Sequence, residues 1–118
     1  VMIGVTEDPS FGPLIAFGLG GVTVELLGDV VFRITPLTDL DAAEMLRGIR
    51  GAKLLEGYRQ SPPADRESLQ EILLRLSRLV EEVPLVADID LNPVRVFPEG
   101  RGSLVLDARI LVREDARR

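Results

Sequence analysis

An amphipathic helical segment in the second half of the chain constrains the fold more than any other feature. Between residues 65 and 82, apolar residues recur at helical spacing and form one stripe: Leu69, Ile72, Leu73, Leu76, Leu79 and Val80. Asp65 is placed to cap the start of this helix, directly after Pro62-Pro63-Ala64. A stripe on one side of a helix has to be buried against another layer, so the segment predicts a helix packed on a sheet.

Strand-like runs lie on both sides of that helix. Short apolar or alternating segments, separated by turn-forming residues, precede it at residues 1–5, 14–17, 22–26 and 30–34. Two further runs follow it at residues 85–96 and 103–112, and the glycine-rich turn between them predicts a hairpin. Several short strands so close together favour one antiparallel sheet.

A second helix is predicted at residues 39–48, where Thr38 offers a cap and the first turn is acidic. Leu40, Ala43 and Leu46 keep helical spacing there, and a short helical stretch at residues 52–55 ends at Gly57. We therefore expect an α+β fold, a mainly antiparallel sheet with helices packed on one face. Residues 1–113 would form this one domain, and residues 114–118 a charged tail.

The predicted hairpin carries the clearest candidate site. Asp88, Asp90 and Asn92 are two residues apart, so in a strand they share one face. Asp107 lies in the opposing run, where a hairpin would bring it level with Asp90 and Asn92. Carboxylates and an amide oxygen are hard ligands, and magnesium usually takes one or two carboxylates together with waters and phosphate oxygens. The pattern is therefore compatible with a metal site.

The same residues allow a plainer interpretation, in which polar side chains face water or pair with Arg95 and Arg109. Composition narrows the chemistry of the first interpretation. The chain has no cysteine and no histidine, so a metal would have to be held by oxygen, which favours magnesium, manganese or calcium over zinc. The missing histidine also removes the commonest general base and any phosphohistidine from these residues.

Charge and hydropathy exclude other classes of partner. The net charge is -5 and aromatic residues make up 4% of the chain, which argues against nucleic acid as a partner. No apolar run approaches the roughly 18 residues that span a bilayer, and the start lacks the features of a signal peptide. The chain begins inside a strand-like run, so we expect it to be a piece of a longer polypeptide. The simplest location for this protein is the cytoplasm.

Glycines cluster after the second predicted strand. Gly18, Gly20 and Gly21 would let the backbone approach phosphates or another chain closely. The cluster is neither a dinucleotide fingerprint nor a P-loop, because the spacing and the lysine are absent, so a tight turn is the alternative. Glu25 and Arg33 lie in the strand-like runs that come next. They are either catalytic candidates or the partners of a cross-strand ion pair.

Arg59 lies in a loop after Gly57-Tyr58 and before the cap of the long helix. An arginine in such a loop can hold a phosphate or carboxylate through two parallel hydrogen bonds. The ordinary alternative is a solvent-exposed arginine ahead of a helix.

Taken together, these motifs resemble the ATP-grasp region of the NDP-forming acyl-CoA synthetases. In chain order they are Asp8-Pro9-Ser10-Phe11-Gly12-Pro13, Phe17-Gly18-Leu19-Gly20-Gly21-Val22 with Glu25, Asp29-Val30, Arg33-Ile34-Thr35-Pro36-Leu37, Gly57-Tyr58-Arg59, Pro62-Pro63-Ala64-Asp65, Asp90-Leu91-Asn92-Pro93-Val94 and Asp107-Ala108-Arg109. The resemblance covers residues 3–112. Gln60 stands where the family usually continues with glycine. The region also resembles the synthetase-like half of large bacterial protein acetyltransferases, which is fused to a GNAT domain.

The resemblance implies a magnesium and ATP or ADP site. In ATP-grasp enzymes, an acidic residue, an asparagine two positions later and an acidic residue on a neighbouring strand hold the magnesium that bridges nucleotide phosphates. Asp90, Asn92 and Asp107 match those positions, with Asn92 and Asp107 as direct ligands and Asp90 ligating or orienting. The implied secondary residues are Glu25 for catalysis and Gly18, Gly20, Gly21, Arg33 and Arg59 for nucleotide binding.

The implied reaction converts acyl-CoA, a nucleoside diphosphate and phosphate into acid, CoA and a nucleoside triphosphate, through an acyl phosphate and phosphohistidines. Active synthetases also need a first ATP-grasp lobe with a histidine-bearing motif, and CoA-binding domains. This chain alone is therefore expected to be catalytically silent. We also consider its assembly as a homo-oligomer. The alternatives are a regulatory domain of a GNAT-fused acetyltransferase and a purely structural or dimerising domain.

Overall fold

Two antiparallel sheets make up the β-structure of the computed structural model, which describes residues 1–19, 29–57 and 60–114. The strands are β1 (Met2–Asp8), β2 (Gly12–Gly18), β3 (Val30–Ile34), β4 (Val86–Leu91), β5 (Val94–Val96), β6 (Ser103–Val105) and β7 (Ala108–Val112). Five strands form the larger sheet in the order β3-β2-β1-β4-β7, and β5 pairs with β6 in the smaller one. The antiparallel sheet predicted from the short runs is confirmed, while the run at residues 22–26 lies outside the described residues.

A tight hairpin joins β1 to β2. Asp8 pairs with Gly12, and the Asp8 carboxylate accepts the backbone N–H groups of Ser10 at 2.7 Å and Phe11 at 3.0 Å. Gly12 has φ of 76°, a conformation that favours glycine. Local side-chain and backbone chemistry therefore sets the register of the first two strands.

Within the described residues, three helices follow the predicted pattern: α1 (Asp39–Gly48), α2 (Ala52–Glu56) and α3 (Arg66–Glu82). Thr38 and Asp41 form a reciprocal cap at the start of α1, since the N–H of each residue donates to the side chain of the other. The backbone N–H of Thr38 lowers the pKa of the Asp41 carboxyl, with further contributions from the Thr38 hydroxyl and the charge of Arg33. Among the described helices, none is long and apolar enough to cross a membrane.

The core lies between the helices and one face of the larger sheet. The α3 stripe is buried as predicted, with Leu69 and Leu73 fully inaccessible to solvent. It meets alternate residues of the central strands, and these are Ile3, Val5, Ile15, Phe17, Ile89 and Leu91. Fully burying each such side chain stabilises the fold by roughly 1.5–3 kcal/mol, so this layer fixes which face of every central strand points inward.

The helix predicted at residues 39–48 is confirmed, but only one of the three apolar residues whose spacing predicted it is fully buried. Leu40 is 63% exposed and Ala43 is only half-buried, whereas Ala42, Met45 and Leu46 are buried. Apolar residues occur on more than one side of this helix, so the spacing of Leu40, Ala43 and Leu46 predicts the helix without fixing which of its faces is buried. Contact with α3 and the sheet selects between those sides.

The other face of the larger sheet, opposite the described helices, is here called the open face. Phe32 is opposite Ala16, Ala16 is opposite Gly4, and Gly4 is opposite Asp90. Directly opposed residues in an antiparallel sheet lie on the same face, and these alternate with the buried residues of their strands. The open face therefore combines apolar and small side chains with a carboxylate.

Candidate metal centre

The three predicted metal ligands come together at one end of the open face. Asp90 is in β4, and Asn92 follows the end of that strand. The backbone N–H of Asn92 donates to the carbonyl of Asp107 at 3.1 Å, which places these two residues opposite each other and continues the β4–β7 register. The alignment predicted for the hairpin is confirmed.

Pro93 explains why this pairing lies at the end of the ladder. Proline has no N–H, so it cannot continue the pattern of donors along the strand. Its carbonyl accepts the N–H of Leu106 at 3.0 Å, after which β5 and β6 pair as a separate sheet. The predicted hairpin is therefore divided into two ladders, and Asn92 and Asp107 lie at the junction.

The geometry suits an ion held by oxygen. Residues directly opposite in antiparallel strands have Cβ atoms about 4.5–5.5 Å apart, so an amide oxygen and a carboxylate oxygen can both reach an ion at about 2.1 Å. Asp90 and Asp107 are exposed and Asn92 is partly buried, which leaves the ligands accessible. Within residues 1–19, 29–57 and 60–114, no three His, Cys, Asp or Glu residues cluster closely enough to hold a metal by themselves.

This donor set fits magnesium better than a cation that requires a full protein cage. Magnesium is commonly bound through one or two carboxylates and completes its shell with waters and phosphate oxygens. Two aspartates and one asparagine amide meet that requirement. Of the plainer alternative, pairing with arginines is not seen among the ion pairs of the described residues, whereas Asp90 and Asp107 do face water, as a bound ion would also require.

A groove of about 520 Å³ lies on the open face beside these ligands. Its lining residues are Met2, Gly4, Val5, Thr6, Ala16, Val30, Phe32, Ile89, Asp90 and Asn92. A Cβ atom added to Gly4 would lie 3.0 Å from the carbonyl oxygen of Ile89, so glycine permits close approach of β1 and β4. The groove thus has an apolar part and an acidic end. A smaller cavity of about 290 Å³, lined largely by residues of the three helices, contains none of the candidate ligands.

Of the remaining predicted site residues, the structure describes Arg33 and Gly18, and neither belongs to this cluster of ligands. Arg33 is opposite Ile15 and so belongs to the helix-packed face, where its guanidinium donates to the Phe32 carbonyl at 2.9 Å. Gly18 is the last residue of β2 and is opposite both Met2 and Val30, which line the groove. Four predicted residues lie outside the described parts of the chain: Gly20, Gly21, Glu25 and Arg59.

Arg109 is a residue of the open face that the sequence did not single out as functional. It is opposite Asp90 in the β4–β7 register. Its position two residues after Asp107 is the sequence signal that could have identified it, because side chains two apart in a strand share a face.

Residues 1–112 match the ATP-grasp domain family, and the chain belongs to this family. The beta subunit of acetate–CoA ligase (ADP-forming) II from Pyrococcus furiosus is 48% identical over 114 residues, which cover 96% of this chain and 48% of that protein. Acetate–CoA ligase (ADP-forming) II from Archaeoglobus fulgidus is 50% identical over 117 residues, covering 99% of this chain and 17% of that protein.

Solved structures agree with this assignment. The dinucleotide-forming acetyl-coenzyme A synthetase 1 of Ca. Korarchaeum cryptofilum, in complex with coenzyme A and Mg-AMPPCP, has a TM-score of 0.89 and 46% identity. The match covers 95% of this chain and 52% of that one. The chain thus spans about half of the Pyrococcus beta subunit and of the Korarchaeum chain. The predicted family and the α+β fold are confirmed.

Proposed function

We propose that this domain supplies the magnesium ligands and one wall of the nucleotide site of an NDP-forming acyl-CoA synthetase. Such an enzyme converts acyl-CoA, a nucleoside diphosphate and phosphate reversibly into acid, CoA and a nucleoside triphosphate. Relatives named acetate–CoA ligase (ADP-forming) support the proposal. So does the Korarchaeum synthetase, whose structure contains Mg-AMPPCP.

The observation that carries the proposal is the backbone hydrogen bond between Asn92 and Asp107. It holds an amide and a carboxylate at adjacent positions on two strands, beside a groove with an apolar part. A polar end for a metal and phosphates, next to an apolar surface for a nucleoside, is the combination that a magnesium nucleotide requires.

The residues act by position and charge. Phosphoryl transfer depends mostly on alignment and on neutralising the phosphate oxygens, and a bound magnesium ion supplies that charge. Asn92 and Asp107 would hold the ion, and Asp90 would ligate or orient it. The catalytic role of Glu25 stays a prediction, as do the nucleotide contacts of Gly18, Gly20, Gly21, Arg33 and Arg59.

Other parts of the parent protein would complete the site, since this chain spans about half of the related beta subunit. We expect the remaining ATP-grasp lobe and the CoA-binding domains to supply the phosphohistidine and acyl-CoA chemistry, in the cytoplasm. The isolated chain would bind magnesium and nucleotide without turnover. Assembly as a homo-oligomer and a separate tail at residues 114–118 stay predictions.

The reported relatives favour a ligase over the acetyltransferase alternative. Both the Pyrococcus and the Archaeoglobus proteins carry the name of an acid–CoA ligase. The synthetase-like regulatory domain of a GNAT-fused enzyme shares the sequence motifs, but no feature of the described structure favours it.

The test is a titration of the 118-residue chain with Mn²⁺, followed by electron paramagnetic resonance with and without ADP. Asn92→Ala and Asp107→Ala are each expected to weaken Mn²⁺ binding by roughly 10- to 100-fold. Glu44→Gln is the control for a lost acidic or polar group, because Glu44 is exposed on α1, on the other side of the sheet. Unchanged Mn²⁺ affinity in both site variants would overturn the ligand assignment.

A further inference from the structure

Arg109 ends a row of residues that crosses the larger sheet. Arg109 is opposite Asp90, Asp90 is opposite Gly4, and the row continues through Ala16 to Phe32. Because directly opposed residues share a face, the Arg109 side chain leaves the sheet on the open face. The same row forms part of the groove lining, so Arg109 stands next to the acidic end of the groove.

No carboxylate of the described residues forms an ion pair with Arg109. In the part of the chain that the structure describes, three arginines form ion pairs with carboxylates, and these are Arg75, Arg78 and Arg113. Arg109 is exposed and forms no ion pair within residues 1–19, 29–57 and 60–114, although Asp90 lies directly across the ladder. Its guanidinium donors are therefore available to a ligand on this face.

The charge balance of the candidate site indicates which ligand. Asp90 and Asp107 together carry two negative charges, which one magnesium ion balances. The phosphate groups of a bound nucleotide would bring further negative charge that these groups leave uncompensated. A guanidinium is always protonated and presents donors in a planar fork that matches two phosphate oxygens.

We propose that the Arg109 guanidinium donates hydrogen bonds to phosphate oxygens of the nucleotide bound at the Asn92–Asp107 site. This inference rests on the proposed function of that site. It assigns to Arg109 a contact with the nucleotide and none with the metal. Loss of the guanidinium should consequently weaken nucleotide binding and leave metal binding intact.

The test compares Arg109→Gln, Arg109→Lys and the unaltered 118-residue chain. Binding of ADP at millimolar Mg²⁺ is followed by ³¹P NMR, and binding of Mn²⁺ without nucleotide by electron paramagnetic resonance. We expect Arg109→Gln to weaken ADP binding by about 10- to 100-fold, because a hydrogen bond to a charged group is lost. Mn²⁺ affinity should be equal or higher, since a positive charge near the ion has gone. Arg109→Lys should recover part of the ADP affinity.

Arg95→Gln is the matched control. Arg95 is also exposed and on a strand, but its guanidinium lies over the Phe97 ring, 5.4 Å from the centroid, in the smaller sheet. It should bind ADP as the unaltered chain does. ¹H–¹⁵N spectra of each variant establish that the fold is retained.

The outcomes separate this inference from the proposed function. Normal ADP affinity in Arg109→Gln, combined with weakened Mn²⁺ binding in Asn92→Ala and Asp107→Ala, would overturn the role of Arg109 alone. Loss of Mn²⁺ affinity in Arg109→Gln would also overturn it, because Arg109 would then act through the ligands. If the unaltered chain binds neither Mn²⁺ nor millimolar ADP, both proposals fail.

Discussion

One carboxylate oxygen of Asp65 accepts the backbone N–H of Gly102 at 2.7 Å, while the other accepts the N–H of Ser68 at 3.1 Å. The first bond reaches the turn between β5 and β6, and the second caps α3. The N–H of Asp65 also donates to the Phe97 carbonyl at 2.7 Å. A single residue thus joins the main helix to the smaller sheet.

Asp65→Ala should lower the free energy of unfolding by about 2–4 kcal/mol, since it removes a helix cap and a second charge-assisted bond. Urea denaturation at neutral pH measures the change. Asp39→Ala removes an aspartate from the first turn of α1 that makes no side-chain hydrogen bond within the described structure, and it should cost less than about 1 kcal/mol. Similar losses in the two variants would contradict the double role of Asp65.

The buried face of α1 is tested by a pair of substitutions. Met45 is fully buried and Leu40 is 63% exposed. Met45→Ala should lower the free energy of unfolding by about 2–5 kcal/mol, because it leaves a cavity in the core. Leu40→Ala should change it by about 0.5 kcal/mol or less. Thermal unfolding would refute this assignment if Leu40→Ala proved the more destabilising variant.

The cap of α1 predicts a pH dependence. The backbone N–H of Thr38 holds the pKa of the Asp41 carboxyl below its ordinary value, so ionised Asp41 stabilises the folded state. This stability is present above the unfolded pKa and is lost as pH falls through the lower folded pKa. The difference in unfolding free energy between the unaltered chain and Asp41→Asn should therefore shrink as pH falls from 6 to about 2.5. A difference that stays constant in urea titrations over this range would contradict the expectation.

Gly4→Ala should disturb the pairing of β1 with β4, because the added Cβ would lie 3.0 Å from the Ile89 carbonyl oxygen. We expect a loss of about 1–3 kcal/mol in unfolding free energy, with amide shift changes centred on Ile89 and Asp90. Thr6→Ala is the control on the same strand, since Thr6 is exposed and lines the same groove. Equal effects of the two substitutions would show that space at Gly4 is not limiting.

Local chemistry was sufficient to predict where the two capped helices begin and that Asp90, Asn92 and Asp107 share a face, whereas their role as metal ligands was implied by the family resemblance and stays a prediction. Asp65 and Thr38 cap the predicted helices because their side chains accept nearby backbone N–H groups. The type of each residue and its position just before a helical segment predict this interaction. The facing of Asp90, Asn92 and Asp107 also follows from local rules, since side chains two apart in a strand share a face and a short turn sets the pairing.

Features that depend on tertiary packing were not predictable in the same way. Apolar residues occur on both faces of β3, so the sequence around Arg33 does not show which face is buried. Contact with the neighbouring layers places Arg33 on the helix-packed face. The α1 face is likewise selected by contact with α3. The division of the hairpin at Pro93 could have been expected from the missing N–H, but the separate second sheet could not.

The pairing of Asn92 with Asp107 has a consequence for how such sites vary between proteins. Everything between the two residues belongs to the β5–β6 hairpin, whose turn is exposed at Glu99 and Gly100. Residues inserted at that turn would lengthen the chain without altering the backbone hydrogen bond that holds Asn92 and Asp107 opposite each other. A search for related sites should therefore leave the number of residues between the asparagine and the second aspartate unspecified, and require instead that both end the same ladder.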